Sequence, residues 1–330
     1  MKYYLGLDVG GTNLAAGVVD EAFRLLSKVS CPSGAGRQME EIVADMAAVS
    51  QKAVGESGIP EKNISSWGIG MPSAINPATG LLVHANCFGW KNVAIYTSLK
   101  KYSRLPIYIE NDANCAALGE TLAGSGAGCK NVLMVTLGTG FGGGVIIDGK
   151  IYAGGDGMGA ELGHTKLVYN GKRCTCGQRG CIEAYCSATA LIRQAQESIK
   201  EHPEICSILR EKNRKHAGGL EAKDVFEAAG EGDQLAAEVL KNYIEYLSCA
   251  IANFIVVFRP ERVILGGGVA NAGEELLVPL KKCLLANTFA GNEIGIPPIT
   301  IAKCGNDAGI IGAAMQELYG ANKTKKIRVC

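Results

Sequence analysis

Two segments of the chain follow the same pattern at an offset of 128 residues, the separation between Gly10 and Gly138. In each copy an apolar strand enters a glycine-rich turn, and a second apolar strand leaves it toward an aspartate in a turn, which predicts a β-hairpin. The matched residues are Leu5, Leu7, Gly10, Val18, Val19 and Asp20 in one copy and Leu133, Val135, Gly138, Ile146, Ile147 and Asp148 in the other. Chance similarity of two hairpins is the alternative, but the pattern favours a duplicated fold.

Strand-like and helical patterns alternate along the chain. Apolar runs of strand length precede the glycine clusters at 10-11, 138-144 and 266-268. The stretches from Gln38 to Glu56 and from Asp233 to Phe258 instead place apolar residues on one helical face. This alternation predicts an α/β fold, and two duplicated halves would face each other across a cleft, where ligands commonly bind.

The charge balance narrows the class of partner. The 33 Lys and Arg residues against 32 Asp and Glu residues give a formal net charge of +1. Proteins that bind nucleic acid or anionic membranes usually carry a clear excess of basic residues. We therefore expect a small-molecule partner, and no binding to nucleic acid or to a membrane. The N-terminus lacks the pattern of a signal peptide, which predicts a cytoplasmic protein whose 13 cysteines stay reduced.

Two glycine-rich stretches are candidate phosphate-binding loops, residues 8–13 (DVGGTN) and residues 138–144 (GTGFGGG). Neither has the ending of a P-loop or matches the dinucleotide fingerprint. Their backbone can approach phosphate oxygens without a Cβ in the way, and Asp8 could hold Mg²⁺ through water. The alternative is a pair of hairpin turns that need glycine for positive φ. Because a third glycine run follows at 266-268, the sequence favours a nucleotide cleft.

Three cysteines within eight residues and one nearby histidine form a candidate metal site. The set is His164, Cys174, Cys176 and Cys181. Three thiolates and an imidazole are a Cys₃His set for tetrahedral Zn²⁺, which predicts a structural zinc site. Gly177 and Gly180 would let the loop double back, and Lys172, Arg173 and Arg179 would offset the thiolate charge. The alternative is free cysteines that cluster by chance.

Residues 106–120 predict a strand that ends at Glu110 and a helix that begins at Ala113. Asp112 then lies at the carboxyl end of the strand, where open α/β sheets bind ligands. An aspartate there can accept a hydroxyl proton as a general base. An aspartate just before a helix is explained equally well as an N-cap, so these residues alone leave both interpretations open.

The whole chain resembles the ROK family (repressors, open reading frames, kinases). The most specific motif is Cys174-x-Cys176-Gly177-x-x-Gly180-Cys181-x-Glu183, preceded by Glu161-x-Gly163-His164. The other matching motifs are Leu7-Asp8-x-Gly10-Gly11-Thr12, Glu110-Asn111-Asp112-Ala113-Asn114, Gly138-Thr139-Gly140 and Leu265-Gly266-Gly267-Gly268. The sugar kinases of this family share the duplicated ribonuclease H-like α/β fold of actin, hexokinase and the Hsp70 ATPase.

The resemblance implies two domains around a cleft. The smaller N-terminal domain would span residues 1–110, completed by a C-terminal helix at about 309–330, and the larger domain, 111–308, would carry the zinc loop. It further implies an ATP-dependent kinase that phosphorylates the 6-hydroxyl of a hexose. ATP with Mg²⁺ and a structural Zn²⁺ would be its cofactors, and a homodimer or larger homo-oligomer its assembly.

The resemblance also assigns roles to individual residues. Asp112 would be the catalytic base that accepts the proton of the sugar 6-hydroxyl. The sugar would be bound by Ser73, Asn86, Asn111, Asp112, Glu161, His164 and Glu183. ATP would be bound by Asp8, Gly10, Gly11, Thr12, Asn13, Gly138, Thr139, Gly140, Gly266 and Gly267. His164 would bind zinc through one ring nitrogen and face the sugar with the other.

Two departures from the family pattern lie near the expected sugar site. Ser73 stands where many relatives have glycine, and the spacing from Asn86 to Trp90 is one residue longer than is common. Glucose is the expected sugar, and fructose, allose, mannose or N-acetylmannosamine is the alternative.

Two rival functions are less consistent with the sequence. A ROK transcriptional regulator carries an N-terminal helix-turn-helix domain, whereas only seven residues precede Asp8 here. A catalytically dead sugar-binding protein should have lost the carboxylate of Asp8 or Asp112, and both residues are present. The sequence therefore favours an active kinase.

Overall fold

The computed structural model describes residues 1–76, 79–215 and 218–321. The chain splits into two compact units. Unit 1 comprises residues 1–134, 144–160 and 303–330, and unit 2 comprises residues 135–143 and 161–302. The domain boundaries expected from the sequence, after residue 110 and near residue 309, stay a prediction.

Strands and helices alternate along the chain, as the sequence pattern predicts. The strands are β1 (Tyr3–Val9), β2 (Asn13–Asp20), β3 (Val29–Pro32), β4 (Ile64–Met71), β5 (Ala74–Ile75), β6 (Leu82–Ala85), β7 (Trp90–Val93), β8 (Ile107–Asn111), β9 (Val132–Leu137), β10 (Phe141–Ile147), β11 (Lys150–Tyr152), β12 (Arg262–Gly266) and β13 (Ile299–Ile301). The helices are α1 (Met39–Ser57), α2 (Ile95–Leu99), α3 (Asp112–Ala123), α4 (Glu183–Cys186), α5 (Ala188–Glu201), α6 (Ile208–Lys215), α7 (Ala222–Gly230), α8 (Gln234–Phe258), α9 (Glu274–Asn287), α10 (Gly291–Ile294), α11 (Asp307–Ala314) and α12 (Gln316–Tyr319). Within the described residues, none of these helices is both long and apolar enough to cross a bilayer.

The two five-stranded sheets share one strand order. The first is β3-β2-β1-β4-β8 and the second is β11-β10-β9-β12-β13. In the first sheet β1 and β2 form an antiparallel hairpin, with Tyr3 opposite Asp20, and β4 and β8 continue the sheet in parallel. In the second sheet β9 and β10 take the places of β1 and β2, which confirms the duplicated α/β fold predicted from the repeat.

Helix α1 covers the first sheet with the face that its sequence predicts. Ile42, Met46, Val49 and Ala53 are buried at helical spacing. The central strands β1 and β4 are buried along nearly their whole length, as expected for strands that have neighbours on both sides and a covered face. The core of unit 1 therefore lies between α1 and the sheet.

Helix α11 contacts α3, β1 and β4 at distances that only glycine permits. A Cβ on Gly312 would lie 1.8 Å from the carbonyl oxygen of Cys115 in α3, and a Cβ on Gly68 of β4 would lie 1.7 Å from the carbonyl oxygen of Ala313. Real Cβ atoms do not approach backbone this closely, so a larger residue forces the elements apart. The small residues of α11 thus fix its position against α3 and the sheet.

We expect the substitution Gly312→Ala to destabilise the protein by about 1–3 kcal/mol, the usual cost of overpacking. Gly55 in α1 is a matched control, because it is exposed and a Cβ there would have no heavy atom within 4 Å. Gly55→Ala should stabilise the protein by roughly 0.5–1 kcal/mol through helix propensity. Urea unfolding of both variants tests this, and equal effects on the free energy of unfolding would contradict the account.

Candidate functional site

Acidic side chains gather at the carboxyl ends of the parallel strands of unit 1. Asp8 on β1, Gly70 on β4 and Glu110 on β8 are paired side by side in the sheet, and Asp112 begins α3. Burial and the negative charge of Asp112 raise the pKa of Asp8 from 3.8 to about 7, while Lys28 opposes the shift. Two neighbouring carboxylates fit hydrated Mg²⁺, which takes one or two carboxylates and keeps several waters.

Asn111 caps helix α3. Its Oδ1 accepts hydrogen bonds from the backbone N–H of Ala113 at 2.9 Å and of Asn114 at 3.2 Å. Asp112 is instead the first residue of the helix, and its Oδ1 accepts from the N–H of Ala113 at 2.9 Å. The N-cap interpretation of Asp112 is therefore wrong, whereas its role as a base stays a prediction.

Sequence reasoning gave no role to Glu110, which the structure places under the start of α3. Its Oε1 accepts from the backbone N–H of Asn111 at 3.0 Å and from Nδ2 of Asn114 at 3.0 Å. Burial raises the pKa of this carboxyl. Glu110 thus fixes the turn from β8 into α3, and its signal in the sequence was an acidic residue inside an apolar strand.

Ser73 and Asn86 are the other predicted sugar ligands of unit 1. Ser73 follows β4, is 7% exposed, and its hydroxyl has no hydrogen-bond partner among the described residues. Buried polar groups are nearly always paired, so this hydroxyl fits a polar ligand. Asn86 begins a short 3-10 turn, and its side chain lies outside the described part of the structure. Nearby, the rings of Phe88 and Trp90 stack on each other with centroids 4.7 Å apart.

Ser33 holds the first glycine-rich loop. Its Oγ donates to the carbonyl of Gly11 at 2.7 Å, and its N–H donates to the carbonyl of Thr12 at 2.8 Å. In a trans peptide the next N–H points opposite to the carbonyl, so the N–H groups of Thr12 and Asn13 point away from Ser33. Neighbouring amides turned in this way can bind an anion.

The start of α5 holds the second glycine-rich loop in the same manner. The N–H of Ala188 donates to the carbonyl of Gly138 at 2.8 Å, and Oγ1 of Thr189 donates to the carbonyl of Thr139 at 2.8 Å. The N–H groups of Thr139 and Gly140 therefore point away from α5. A Cβ on Gly138 would have no heavy atom within 4 Å, which leaves room for a ligand at this loop.

The glycines of the two loops are not required by backbone conformation. In these loops, φ lies outside the left-handed region at Gly10, Gly11, Gly138 and Gly140. The positive-φ interpretation is therefore wrong for them. In the third glycine run, Gly266 ends β12, and Gly267 has a φ of 82°. A Cβ on Gly267 would lie 2.5 Å from the carbonyl oxygen of Leu137, so this run abuts the second loop.

The four predicted metal ligands come together in unit 2. One donor atom from each of His164, Cys174, Cys176 and Cys181 lies within 4.8 Å of the other three. Nδ1 of His164 is 3.7 Å from Sγ of Cys174, and Sγ of Cys176 is 3.8 Å from Sγ of Cys181. Three thiols and one imidazole nitrogen at this spacing fit a tetrahedral zinc ion.

The backbone of the metal site includes left-handed residues. Gly177 has a φ of 87° and Gly180 a φ of 77°, which confirms that these glycines let the loop double back. A Cβ on Gly180 would also lie 1.8 Å from the carbonyl oxygen of Val168. Ala160, directly before Glu161, has a φ of 66°, a conformation that is uncommon without glycine.

The cation beside the thiols differs from those predicted. Nζ of Lys166 lies 3.3 Å from Sγ of Cys181. Burial opposes ionisation of Cys176, but surrounding hydrogen bonds, led by the backbone of Gln178, and the charge of Lys166 lower its pKa overall. Nζ of Lys172 pairs with Glu197 at 2.5 Å, and the part of Lys172, Arg173 and Arg179 in offsetting the thiolate charge stays a prediction.

The turn that carries Glu161 and His164 packs on the start of β10. A Cβ on Gly163 would lie 2.1 Å from the carbonyl oxygen of Phe141. Because Nδ1 of His164 faces the cysteines, Nε2 is the nitrogen that can face a ligand. Glu183 begins α4, and its carboxylate accepts from the N–H of Phe141 at 3.2 Å.

The predicted site residues are divided between the units. Unit 1 holds Asp8, Gly10, Gly11, Thr12, Asn13, Ser73, Asn86, Asn111 and Asp112, and unit 2 holds Gly138, Thr139, Gly140, Glu161, His164, Cys174, Cys176, Cys181, Glu183, Gly266 and Gly267. Sequence reasoning missed Ser33, Lys166 and Thr189, whose contacts with the site join residues far apart in the chain.

The raised pKa of Asp8 predicts a pH-dependent stability. The folded state binds this proton more tightly than the unfolded chain, so the free energy of unfolding falls as pH rises from about 4 to about 7. Asp8→Asn should remove this loss and stabilise the protein at pH 8 by at most about 4 kcal/mol. Urea unfolding at pH 5 and pH 8, without nucleotide or divalent cation, should show the gain growing with pH.

Asp20 in the same hairpin is the matched control. Burial disfavours its charged form, but hydrogen bonds from the backbone and guanidinium of Arg24 and from Ala22 lower its pKa overall. Its carboxylate therefore stabilises the fold above the unfolded pKa, and Asp20→Asn should destabilise the protein at pH 8. A gain in stability for both variants at pH 8 would contradict the electrostatic account.

The metal site predicts a joint loss of metal and sugar binding. Cys176→Ala should lower both the zinc content and the sugar affinity, because the free energy of metal binding orders this loop. Cys206→Ala is the control, since Cys206 is exposed and outside the cluster. Elemental analysis that finds no zinc in wild-type protein purified without chelator would remove the basis for the site.

Comparisons with known proteins find similar sequences and structures over nearly the whole chain. The sequence model of the ROK family matches residues 4–317. A glucokinase of Halalkalibacterium halodurans is 38% identical over 326 residues, covering 98% of this chain and 98% of the relative. The crystal structure of a ROK family glucokinase from Streptomyces griseus, in complex with glucose and AMPPNP, has a TM-score of 0.78 at 34% identity and covers 94% of this chain and 98% of that chain.

A regulator is also similar in structure. A ROK family transcriptional regulator, a homologue of the E. coli MLC protein, has a TM-score of 0.80 at 25% identity, covering 96% of this chain and 78% of that chain. The family match and the identity to the H. halodurans relative both extend over nearly the whole sequence. The chain therefore belongs to the ROK family.

Proposed function

We propose that this chain is an ATP-dependent hexose kinase and that its substrate is glucose. The observation that carries the proposal is the placement of Asp112 in unit 1. Its carboxylate lies close enough to Asp8 to raise the pKa of that residue, at the strand ends where the first glycine-rich loop begins. Phosphoryl transfer needs a base for the attacking hydroxyl, a loop for the phosphates and a carboxylate that can hold Mg²⁺. Asp112, the first glycine-rich loop and Asp8 would supply these three. The similar Streptomyces griseus enzyme, crystallised with glucose and AMPPNP, supports the choice of sugar and nucleotide.

The proposed reaction is a single displacement at phosphorus. Asp112 accepts the proton of the sugar 6-hydroxyl while the 6-oxygen forms a bond to the γ-phosphorus of ATP. The bond from that phosphorus to the β–γ bridging oxygen breaks, and ADP leaves. We assign phosphate binding to the outward N–H groups of the glycine-rich loops. Mg²⁺, when bound, would be held by Asp8 through water and would neutralise phosphate charge.

The remaining site residues are assigned to the sugar hydroxyls. Ser73 offers a buried hydroxyl that has no partner among the described residues. Asn111 offers Nδ2, because its Oδ1 caps α3. His164 offers Nε2, because its Nδ1 faces the cysteines; a metal there would fix the tautomer and the direction of the ring. Asn86, Glu161 and Glu183 complete the set that we assign.

The other features of the enzyme follow from the same proposal. We assign structural Zn²⁺ to the Cys₃His cluster, whose four donor atoms already lie together. We place the enzyme in the cytoplasm. We also expect a homodimer or larger assembly, as the family resemblance implies.

The substrate assignment predicts a preference among hexoses. The kcat/KM for glucose should exceed that for mannose, fructose, allose and N-acetylmannosamine at least tenfold, about 1.4 kcal/mol at the transition state. 2-Deoxyglucose should also be a poor substrate, because a site that pairs a hydroxyl leaves its own polar groups unpaired without it. A tenfold preference for another hexose would overturn glucose alone, whereas sugar binding without ATP turnover would favour a sugar-sensing regulator.

The assignment of the base predicts a selective loss of turnover. Asp112→Asn should lower kcat by about 10²- to 10⁴-fold, roughly 3–5 kcal/mol of barrier, while glucose and AMPPNP still bind. Asp148→Asn is the matched control, since Asp148 lies in an exposed turn and should keep its kcat. Turnover near that of the wild type in Asp112→Asn would show that another group accepts the proton.

A further inference from the structure

We propose that Glu183 is a positioning residue that couples the metal loop, residues 172–183, to the nucleotide loop, residues 138–141. The order of the metal loop then sets the affinity for nucleotide as well as for sugar. This inference rests on the proposed function for the nucleotide role of residues 138–141. It goes beyond the sugar contact assigned to Glu183, because it gives the same carboxylate a second task within the protein.

The carboxylate of Glu183 joins the two loops directly. Its Oε2 accepts from the backbone N–H of Phe141 at 3.2 Å, and its Oε1 accepts from Oγ1 of Thr175 at 2.6 Å. Thr175 lies between the metal ligands Cys174 and Cys176, and Sγ of Cys174 is itself 3.3 Å from Oε1. Each carboxylate oxygen thus serves one loop, and a rotation of the side chain that breaks one contact disturbs the other.

The nucleotide loop lies directly on this carboxylate. A Cβ on Gly140 would be 2.7 Å from Oε2 of Glu183. Gly140 has a φ that other residues adopt, so a Cβ at this position would have to displace the carboxylate of Glu183 but would not strain the backbone. The close contact leaves little freedom for the loop to move independently of Glu183.

The residues that follow Glu183 hold the rest of the nucleotide loop. Helix α4 begins at Glu183, and α5 begins five residues later with Ala188 and Thr189, which bind the carbonyls of Gly138 and Thr139. At the end of α4, the carbonyl of Cys186 accepts from the buried hydroxyl of Tyr243 at 2.8 Å. The segment that starts beside the ligand Cys181 therefore contacts both ends of the nucleotide loop.

The loop polar groups divide into two sets with different uses. The carbonyls of Gly138 and Thr139 and the N–H of Phe141 bind the 183–189 segment. The N–H groups of Thr139 and Gly140 point away from it, in the direction proposed for phosphate. When the carbonyls and the N–H of Phe141 lose their partners in the 183–189 segment, the N–H groups of Thr139 and Gly140 lose their fixed direction. Disorder in the metal loop should therefore weaken nucleotide binding.

The test uses Thr175, which is exposed and is not a metal ligand. Thr175→Val removes the hydroxyl that holds Oε1 of Glu183, and Thr175→Ser, which keeps a hydroxyl, is the matched control. In the absence of sugar, Thr175→Val should weaken AMPPNP binding about threefold to tenfold, the effect of one lost hydrogen bond. Titration calorimetry measures the affinity, and elemental analysis should show unchanged zinc content in both variants.

Amide hydrogen exchange of residues 138–141 gives a readout independent of nucleotide binding and turnover. Exchange should be faster in Thr175→Val, unchanged in Thr175→Ser, and faster in wild-type protein from which a chelator has removed the metal. Unchanged exchange in both Thr175→Val and the chelated protein would overturn the coupling. Faster exchange with unchanged AMPPNP affinity would support the coupling and overturn the proposed nucleotide role of the loop.

Discussion

Close approach of one backbone to another through glycine is the constraint on which both units depend. In unit 1 the contacts of Gly312 and Gly68 bring α11 against α3 and β4. In unit 2 Gly163 brings the turn that holds His164 onto the carbonyl of Phe141. The 44 glycines of the chain thus have a use that the positive-φ argument alone does not explain. Where a Cβ would meet a carbonyl oxygen, glycine sets the distance between elements that carry the site.

The same contacts create the electrostatics of Asp8. A Cβ on Gly309 would lie 2.7 Å from Cγ of Asp8, so α11 covers this carboxylate and excludes water from it. Burial is the largest cause of its raised pKa, and the charge of Asp112 adds to it. A carboxylate held this way destabilises the folded chain at neutral pH. A bound divalent cation would offset this cost by giving the carboxylate a charge partner. Asp8 thus lowers the stability of the fold at the position where we propose that a metal assists the reaction.

Sequence patterns predicted what local spacing determines. The repeat predicted the duplicated hairpins, and the spacing of cysteines and histidine predicted which four donors converge. Contacts between distant residues were not predictable, since Ser33 and Thr189 bind loop carbonyls 22 and 50 residues away. The contact of Lys172 with Glu197 was not predictable for the same reason, because Glu197 lies 25 residues further along, in α5. Whether Asp112 caps α3 could be decided only from the backbone, which gives the cap to Asn111; the role of Asp112 as a base stays a prediction.

The two glycine-rich loops show how a duplicated fold can reach one result by different contacts. In the first loop a single residue, Ser33, binds two successive carbonyls through its hydroxyl and its N–H. In the second loop Ala188 and Thr189 divide these tasks between two residues. A hydroxyl and a backbone N–H are used in each case, and two N–H groups are turned outward by peptide geometry. Because the second pair of donors follows the metal loop in the chain, only the second loop can be coupled to the metal through them.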